Sequence, residues 1–309
     1  MTSASSEPRG PGAPAEPRGP GTPATRRSGA RGRAELVMSQ RDFDAIRGFV
    51  HRAFGIALSQ SKQPLVRMRL RGIVHGHGLA SAREYVDRIL ANPTSETLSE
   101  LADAITTNHT FFWRESTHFE LLQQRIIPEL MARQQHALRP TVRVWCAAAS
   151  SGQEPYTLAA ALRLTLGPDF DRWETGVLAT DLSARALERA RAGVYTSAEV
   201  APLPDPFRRV MFDPAPDGYS VRPELRRDVT LRRLNLLTPF HFKQPFDVVF
   251  CRNVMIYFDD PTKLDLAARL AEVVRPGGYL VVGLSESLGL ALPGLRAVAP
   301  AVYQKLGAP

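Results

Sequence analysis

Three apolar runs in this chain end in residues able to do chemistry. Val142–Cys146 leads through Ala147-Ala-Ala-Ser-Ser-Gly152 to Glu154, Gly176–Thr180 ends in Asp181, and Phe246–Cys251 ends in Arg252 and Asn253. Small side chains let a backbone approach a ligand closely, and Gly152 can take dihedrals closed to other residues, although packing between a strand and a helix uses small residues about as often. Glu154 places a carboxylate at the start of the next helix, which disfavours a pyrophosphate and favours a cation or a hydroxyl-rich group. Asp181 lies 27 residues beyond Glu154. There a carboxylate can accept bonds from two ribose hydroxyls, as the acid roughly 20 residues past a dinucleotide fingerprint does, or it can cap the next helix. Neither a GxGxxG nor a GxxxxGK[ST] loop occurs, so NAD and ATP fit poorly. A ribose-bearing, phosphate-free, positively charged ligand fits well, and S-adenosylmethionine is one. Arg252 and Asn253 emerge from an apolar strand with no role in a core. An Asn/Asp-Pro-Pro-aromatic loop, which would serve a flipped nucleic-acid base, does not follow them. The seven histidines show no metal-ligand spacing, and Cys146 and Cys251 read as neighbouring buried thiols and not as ligands.

These residues need a frame. The alternation of runs with helical stretches over Tyr156–Leu166, Ser183–Ala192 and Pro261–Val274 predicts a doubly wound, mostly parallel α/β sheet. A fourth strand is expected at Pro276–Gly283 and a last edge strand at Ala301–Leu306. Ser39 and Asp42 have the spacing of a capping box, and Phe43, Ile46, Val50 and Phe54 follow on one helical face. Further helices over 62–74, 82–90 and 96–105 complete a small helical domain at 39–105. Residues 106–117 form a linker expected to contribute to the cofactor site. Thr117 and Glu120 are spaced as a second capping box, and 118–309 form the α/β domain. Six prolines and Asp217-Gly218 break the rhythm between 193 and 234, a stretch expected to be an inserted β-subdomain, with strands near Ser220 and Val229.

Composition sets the outer bounds. The 309 residues are 44% hydrophobic, enough for a sizeable core, and no window approaches the roughly 18 apolar residues of a spanning helix. Two cysteines exclude a disulfide framework, and the first residues hold no signal-peptide core, so a cytoplasmic protein without membrane insertion is expected. The net charge of +8 invites a nucleic-acid reading. Half of it, however, sits in residues 1–33, where six arginines stand against two glutamates among six prolines and six glycines. Residues 1–38 are therefore expected to be a solvated, disordered tail, and no nucleic-acid partner is expected.

Several motifs then coincide in order: Thr106-Thr-Asn-His-Thr-Phe-Phe-Trp-Arg-Glu115, Trp145-Cys-Ala-Ala-Ala-Ser-Ser-Gly-Gln-Glu-Pro-Tyr156, Ala179-Thr-Asp181, Leu234-Asn-Leu-Leu237, Phe250-Cys-Arg-Asn-Val-Met-Ile-Tyr-Phe258 and Gly283-Leu-Ser-Glu286. Together they resemble the chemotaxis receptor glutamate O-methyltransferases, the CheR type, over residues 39 to 306. The resemblance implies a helical N-terminal domain joined to a class I methyltransferase domain with an inserted β-subdomain. It also implies S-adenosylmethionine held by Asn108, Thr110, Arg114, Glu154, Asp181, Asn235, Leu236, Arg252 and Asn253. The chain departs from the family pattern in Trp113, where phenylalanine is common, in Gln153, where an acid is common, and in a short Phe212–Ser220 loop. That short loop argues against docking on a receptor C-terminal peptide, a habit of some family members.

The implied reaction needs little acid-base help, because a glutamate with a pKa of about 4.3 is already ionised at neutral pH. In-line transfer from a sulfonium asks chiefly for alignment. Arg114 and Tyr257 are the candidates to orient the carboxylate. Core packing competes as the use of Tyr257, and an ion pair with Glu115 as that of Arg114. Arg67, Arg69 and Arg71 crowd one predicted helix, where they form either a solvated face or a docking strip for the acidic receptor helices that the resemblance implies as substrates. A monomer is expected. The rival readings are a methyltransferase acting on RNA or a small molecule, and a silent module that binds the cofactor without turnover.

Overall fold

The computed structural model describes residues 36–286, 288 and 292–307. The expected disordered tail lies outside them except for its last three residues, and these are not tail-like. Leu36 and Met38 are buried in the core of the helical layer. Met38 precedes the N-cap Ser39 and shares a cluster with Phe43, as in a hydrophobic staple, so order begins ahead of Ser39.

Helix α1 (Gln40–Phe54) opens on the expected capping box, in which Ser39 Oγ accepts from the Asp42 amide and Asp42 accepts from the Ser39 amide. Helices α2 (Gln63–Gly76), α3 (Ala82–Ala91) and α4 (Ser95–Ile105) complete the layer. Phe43, Val50, Leu70, Val74, Tyr85 and Leu101 fill its core. The second helical stretch runs through α5 (Thr117–Leu121), a π-turn at Leu122–Ile126 and α6 (Ile127–Arg133). Its expected capping box is absent: Ser116 is the N-cap and offers no side-chain bond.

Strands β1 (Thr141–Cys146) and β2 (Glu174–Asp181) flank helix α7 (Gln153–Leu166), and α8 (Ala184–Ala192) follows β2. The small strand β3 (Val194–Tyr195), helices α9 (Ser197–Val200) and α10 (Asp205–Met211), strands β4 (Phe212–Ala215) and β5 (Gly218–Val221), and helix α11 (Pro223–Arg227) come next. They are succeeded by β6 (Val229–Arg233), β7 (Phe246–Cys251), α12 (Asp260–Val273), β8 (Val274–Val282), β9 (Leu295–Ala299) and β10 (Val302–Lys305). The main sheet has the order β6-β2-β1-β7-β8-β10-β9, and β6, β2, β1, β7 and β8 pair in parallel.

Three expectations are corrected here. The strand at Val229 does not join the inserted sheet, which holds only β3, β5 and β4; as β6 it pairs with β2. The carboxyl-terminal strand β10 is not an edge, because β9 pairs outside it. The supposed loop at Phe212–Ser220 is itself mostly strand, with β4 and β5 joined through Pro216 and Asp217 alone.

Both faces of the sheet are covered, so side-chain alternation divides the core in two. Val144, Cys146, Val248 and Phe250 pack with α7, whereas Trp145, Val249, Cys251 and Leu280 pack with α12. Cys146 and Cys251 are both buried but point to opposite faces, and so are not neighbours. Strand order reverses between β1 and β7, which places a crevice beyond their carboxyl ends.

Gly152, the N-cap of α7, shows how the inserted sheet supports that crevice. Its φ is +100°, and a Cβ there would lie 2.5 Å from Tyr195 Oη, which donates to the Ser151 carbonyl. Close packing against β3 thus explains this glycine. Gly152→Ala should lose about 2 kcal/mol or more of stability. Adding Tyr195→Phe should recover only the share due to overlap, since the positive φ remains. Urea denaturation of the two variants checks this, and a single variant within about 0.5 kcal/mol of the parent would refute it.

Candidate active site

At the crevice lies a cavity open to solvent. Its walls come from both layers. The sheet side supplies Ala147, Ala148 and Ser150 after β1, Asp181 at the end of β2, Leu234 to Leu236 after β6 and Arg252 to Val254 after β7. The helical layer supplies Phe54, Ile56 and Ile105, and the linker supplies Thr106 to Phe111 and Arg114. The layers are stitched at this seam. Asn235 Nδ2 donates to the Ala53 carbonyl at 2.8 Å, the Ala57 amide donates to the Tyr257 carbonyl at 2.7 Å, and His51 meets Asp259 at 2.7 Å. Tyr257 and Phe258 pack against the helical core.

At the centre is Arg252, whose side chain is 1% exposed. It pairs with Glu154 at 2.7 Å and with Glu115 at 3.2 Å, and the Phe119 ring covers it at 5.3 Å. Glu154 also accepts from the Cys146 thiol at 3.2 Å. Burial pushes the Glu154 carboxyl above its ordinary range, with Arg252 pulling the other way. For Glu115 burial acts in the same sense, but bonds from Asn253 and Leu284 and the charge of Arg252 prevail and hold it below that range. His118 is buried with Nδ1 lying 3.6 Å from Glu115; burial, and then Arg252, push it down to about 4, so it is neutral at physiological pH.

Asp181 faces the cavity and is not the cap of α8. One carboxylate oxygen accepts from the Ser150 amide at 2.7 Å and the other from Ser183 at 2.8 Å, the N-cap of α8 being Ser183 itself. The side chain still faces the cavity, and burial raises its pKa. Asn253 has φ +58° and donates from Nδ2 to Glu115 at 3.0 Å, while its amide donates to Glu286 at 2.6 Å. Glu286 is buried and also accepts from the Gly283 and Ile256 amides, which fixes the turn after β7. Arg114 is not paired with Glu115. Its Nη1 donates to the His109 carbonyl at 2.9 Å, and its guanidinium lies 5.7 Å from the Phe111 ring centre. Tyr257 Oη stands 3.5 Å from the Thr107 carbonyl.

All of Asn108, Thr110, Arg114, Glu154, Asp181, Asn235, Leu236, Arg252, Asn253 and Tyr257 therefore line one cavity. Arg67, Arg69 and Arg71 do not. Arg69 is also no free docking cation: its Nη1 reaches the carbonyls of Ala104, Ile105 and Thr106 at 3.3, 3.2 and 3.1 Å and Thr107 Oγ1 at 3.4 Å, closing the end of α4. Arg71 is exposed and, among the described residues, has no partner. Two residues of the site carry no signal in the sequence: Glu115 lies in the linker beside Arg114 and Glu286 in a short motif near the carboxyl end, and neither has the spacing after a strand that marks Glu154 and Asp181. The departures from the family pattern are absorbed locally. Trp113 stacks on Phe119 and meets Phe207 edge-on, and Gln153 is buried and accepts from Ser151.

The donor set suits a nucleoside bearing a cation. Two carboxylates face a cavity walled partly by apolar side chains such as Phe54, Ile56, Phe111 and Leu236, the loop before α7 presents no open run of amides for a phosphate, and Asn108 and Thr110 bring polar side chains with no partner among the described residues. Among the described residues no cluster of metal ligands occurs, and no helix is long and apolar enough to cross a membrane.

Comparison with known proteins points the same way. The family model for CheR methyltransferase, all-alpha domain, matches residues 41–106, and that for CheR methyltransferase, SAM binding domain, matches residues 108–299. The chemotaxis protein methyltransferase of Borreliella burgdorferi is 35% identical over 258 residues, 83% of this chain and 91% of the relative. The chemotaxis protein methyltransferase Cher2 of Pseudomonas putida is 38% identical over 80% of this chain and 90% of its own. Chemotaxis protein methyltransferase 1 of Pseudomonas aeruginosa is likewise 38% identical over 80% and 90%. With both layers matched and the cavity built at their seam, the chain belongs to the CheR methyltransferase family.

Proposed function

We infer that this cavity binds S-adenosylmethionine and transfers its methyl group to glutamate side chains of chemotaxis receptors, forming the methyl esters of sensory adaptation. The observation that carries the reading is the gathering of Glu154, Asp181, Arg252 and Asn253 at the switch point of a sheet matched by the family's cofactor-binding domain. When bound, the cofactor supplies an electrophilic methyl on a sulfonium. Asp181 would meet the ribose, Glu154 the cationic amino-acid end, and Asn235 and Leu236 the base edge. Asn108 and Thr110 would close the cavity from the linker.

The protein's own work is alignment and exclusion of water. A glutamate acceptor arrives ionised at neutral pH. It must be turned toward the methyl without being neutralised. Arg114 spends one nitrogen on His109 and keeps other donors for a carboxylate, and Tyr257 holds its hydroxyl across the mouth. Positioning of this kind supplies several kcal/mol of rate enhancement.

Arg71 stands exposed on α2, with Arg67 one turn away on the same face, and would steer acidic receptor helices. Receptors would be engaged without a tail tether, because the β4–β5 hairpin closes in two residues. Action on RNA finds no base-stacking loop after β7, and a silent module is separated by turnover.

Three outcomes check the reading. Incubation with labelled S-adenosylmethionine and receptor-bearing membranes should yield base-labile label released as methanol; label stable to base would exclude an ester. Asp181→Asn should weaken cofactor binding at least about tenfold in calorimetry, and an unaltered isotherm would remove Asp181 from the site. Arg71→Glu should raise the KM for receptor several-fold at low salt while cofactor affinity stays level, and identical methylation rates would argue against docking on α2.

A further inference from the structure

The buried charges around Arg252 do not balance. One guanidinium faces two carboxylates, Glu154 at 2.7 Å and Glu115 at 3.2 Å. His118, the other basic group against Glu115, is neutral, and Arg252 Nε has no hydrogen-bond partner. With both carboxylates ionised the group carries a formal charge of one minus, and the side chains of Arg252, Glu154 and Glu115 are only 1%, 13% and 16% exposed. An uncompensated buried charge is costly, so such a group gains from a cation placed beside it. Glu154 faces the cavity that would receive that cation, whereas Glu115 does not line it. Glu115 is nonetheless held firmly: it sits at φ +53°, between bonds from Asn253 Nδ2 and the Leu284 amide at 3.0 and 3.1 Å. A strained residue kept in place by two other segments, with its charge turned to an arginine that Glu154 alone would neutralise, needs a reason beyond packing.

We propose that Glu115 is a specificity-determining positioning residue: by leaving Arg252 over-matched by acid, it makes the cavity favour the cationic methyl donor over its neutral thioether product. The inference rests on the reading of the cavity as a methyl-donor site. With Glu115 neutral, Glu154 and Arg252 pair one to one and the preference for a cation falls. With both acids ionised, the added positive charge of the sulfonium is what the group recognises, and loss of the methyl group removes it. Product release is thereby eased by the same charge that draws the donor in.

The test is calorimetric binding of S-adenosylmethionine and S-adenosylhomocysteine to the full chain near pH 7.5, for the parent, Glu115→Gln and Glu115→Asp. Glu115→Gln removes the charge and keeps one acceptor, for either Asn253 or the Leu284 amide, which bond different carboxylate oxygens in the parent. It should weaken donor binding about tenfold more than product binding, in line with one charge interacting across a partly desolvated site. Glu115→Asp, charged but shorter, should hold the parent's donor-to-product ratio even where both affinities drop. Equal losses for the two ligands in Glu115→Gln would reduce Glu115 to a structural support and overturn the proposal, as would an unchanged ratio. Failure of both ligands to bind the parent protein would instead overturn the methyl-donor reading on which the proposal rests.

Discussion

A single guanidinium holds three parts of this chain in register. Arg252 leaves the end of β7, meets Glu154 from the first turn of α7 and Glu115 from the linker, and does so almost wholly out of water. Removing one partner from such a pair typically costs 3–5 kcal/mol, because the remaining charge is stranded. The arrangement therefore specifies position more than it adds stability. The linker can reach the sheet only where its glutamate meets that arginine, and the cavity takes its shape from the resulting seam. Phe119, lying over the guanidinium and stacked toward Phe250, ties the same point to the core on one sheet face.

Backbone strain concentrates at this seam. Among the described residues, five non-glycine positions have positive φ, and Trp113, Glu115, Ser150 and Asn253 are four of them. Each such conformation costs on the order of 1–3 kcal/mol and persists only where its surroundings over-determine it. The surroundings do so here. Trp113 is clamped between Phe119 and Phe207, Ser150 donates its amide to Asp181, and Asn253 is fixed at both ends by Glu286 and Glu115. The fold is regular where it is scaffold and strained where side chains must converge.

That division explains what could be read from the sequence. The runs at Val142, Gly176 and Phe246 gave β1, β2 and β7 because strands buried on both faces are continuously apolar, and the acids at their ends marked the crevice by position alone. The capping box at Ser39 was legible because its two partners are three residues apart. Contacts distant in the chain were not legible. The partnership of Glu115 with Arg252 spans most of the α/β layer, Arg69 looks like any basic helix residue until its carbonyl partners are seen, and β6 sits in a proline-rich stretch whose local pattern matched the small inserted sheet next to it. Leu36 and Met38 were hidden by the polar tail they adjoin, since two apolar residues form no periodic signal.

Through its four acceptors Arg69 joins two parts of the molecule. It rises from α2, the outward basic helix, and grips the carbonyls of Ala104, Ile105 and Thr106 together with the hydroxyl of Thr107. Ile105, Thr106 and Thr107 also wall the cavity. One side chain thus ties the outward helix α2 to the backbone that forms the rim of the cavity, so the position of that rim is fixed from the far side of the helical layer.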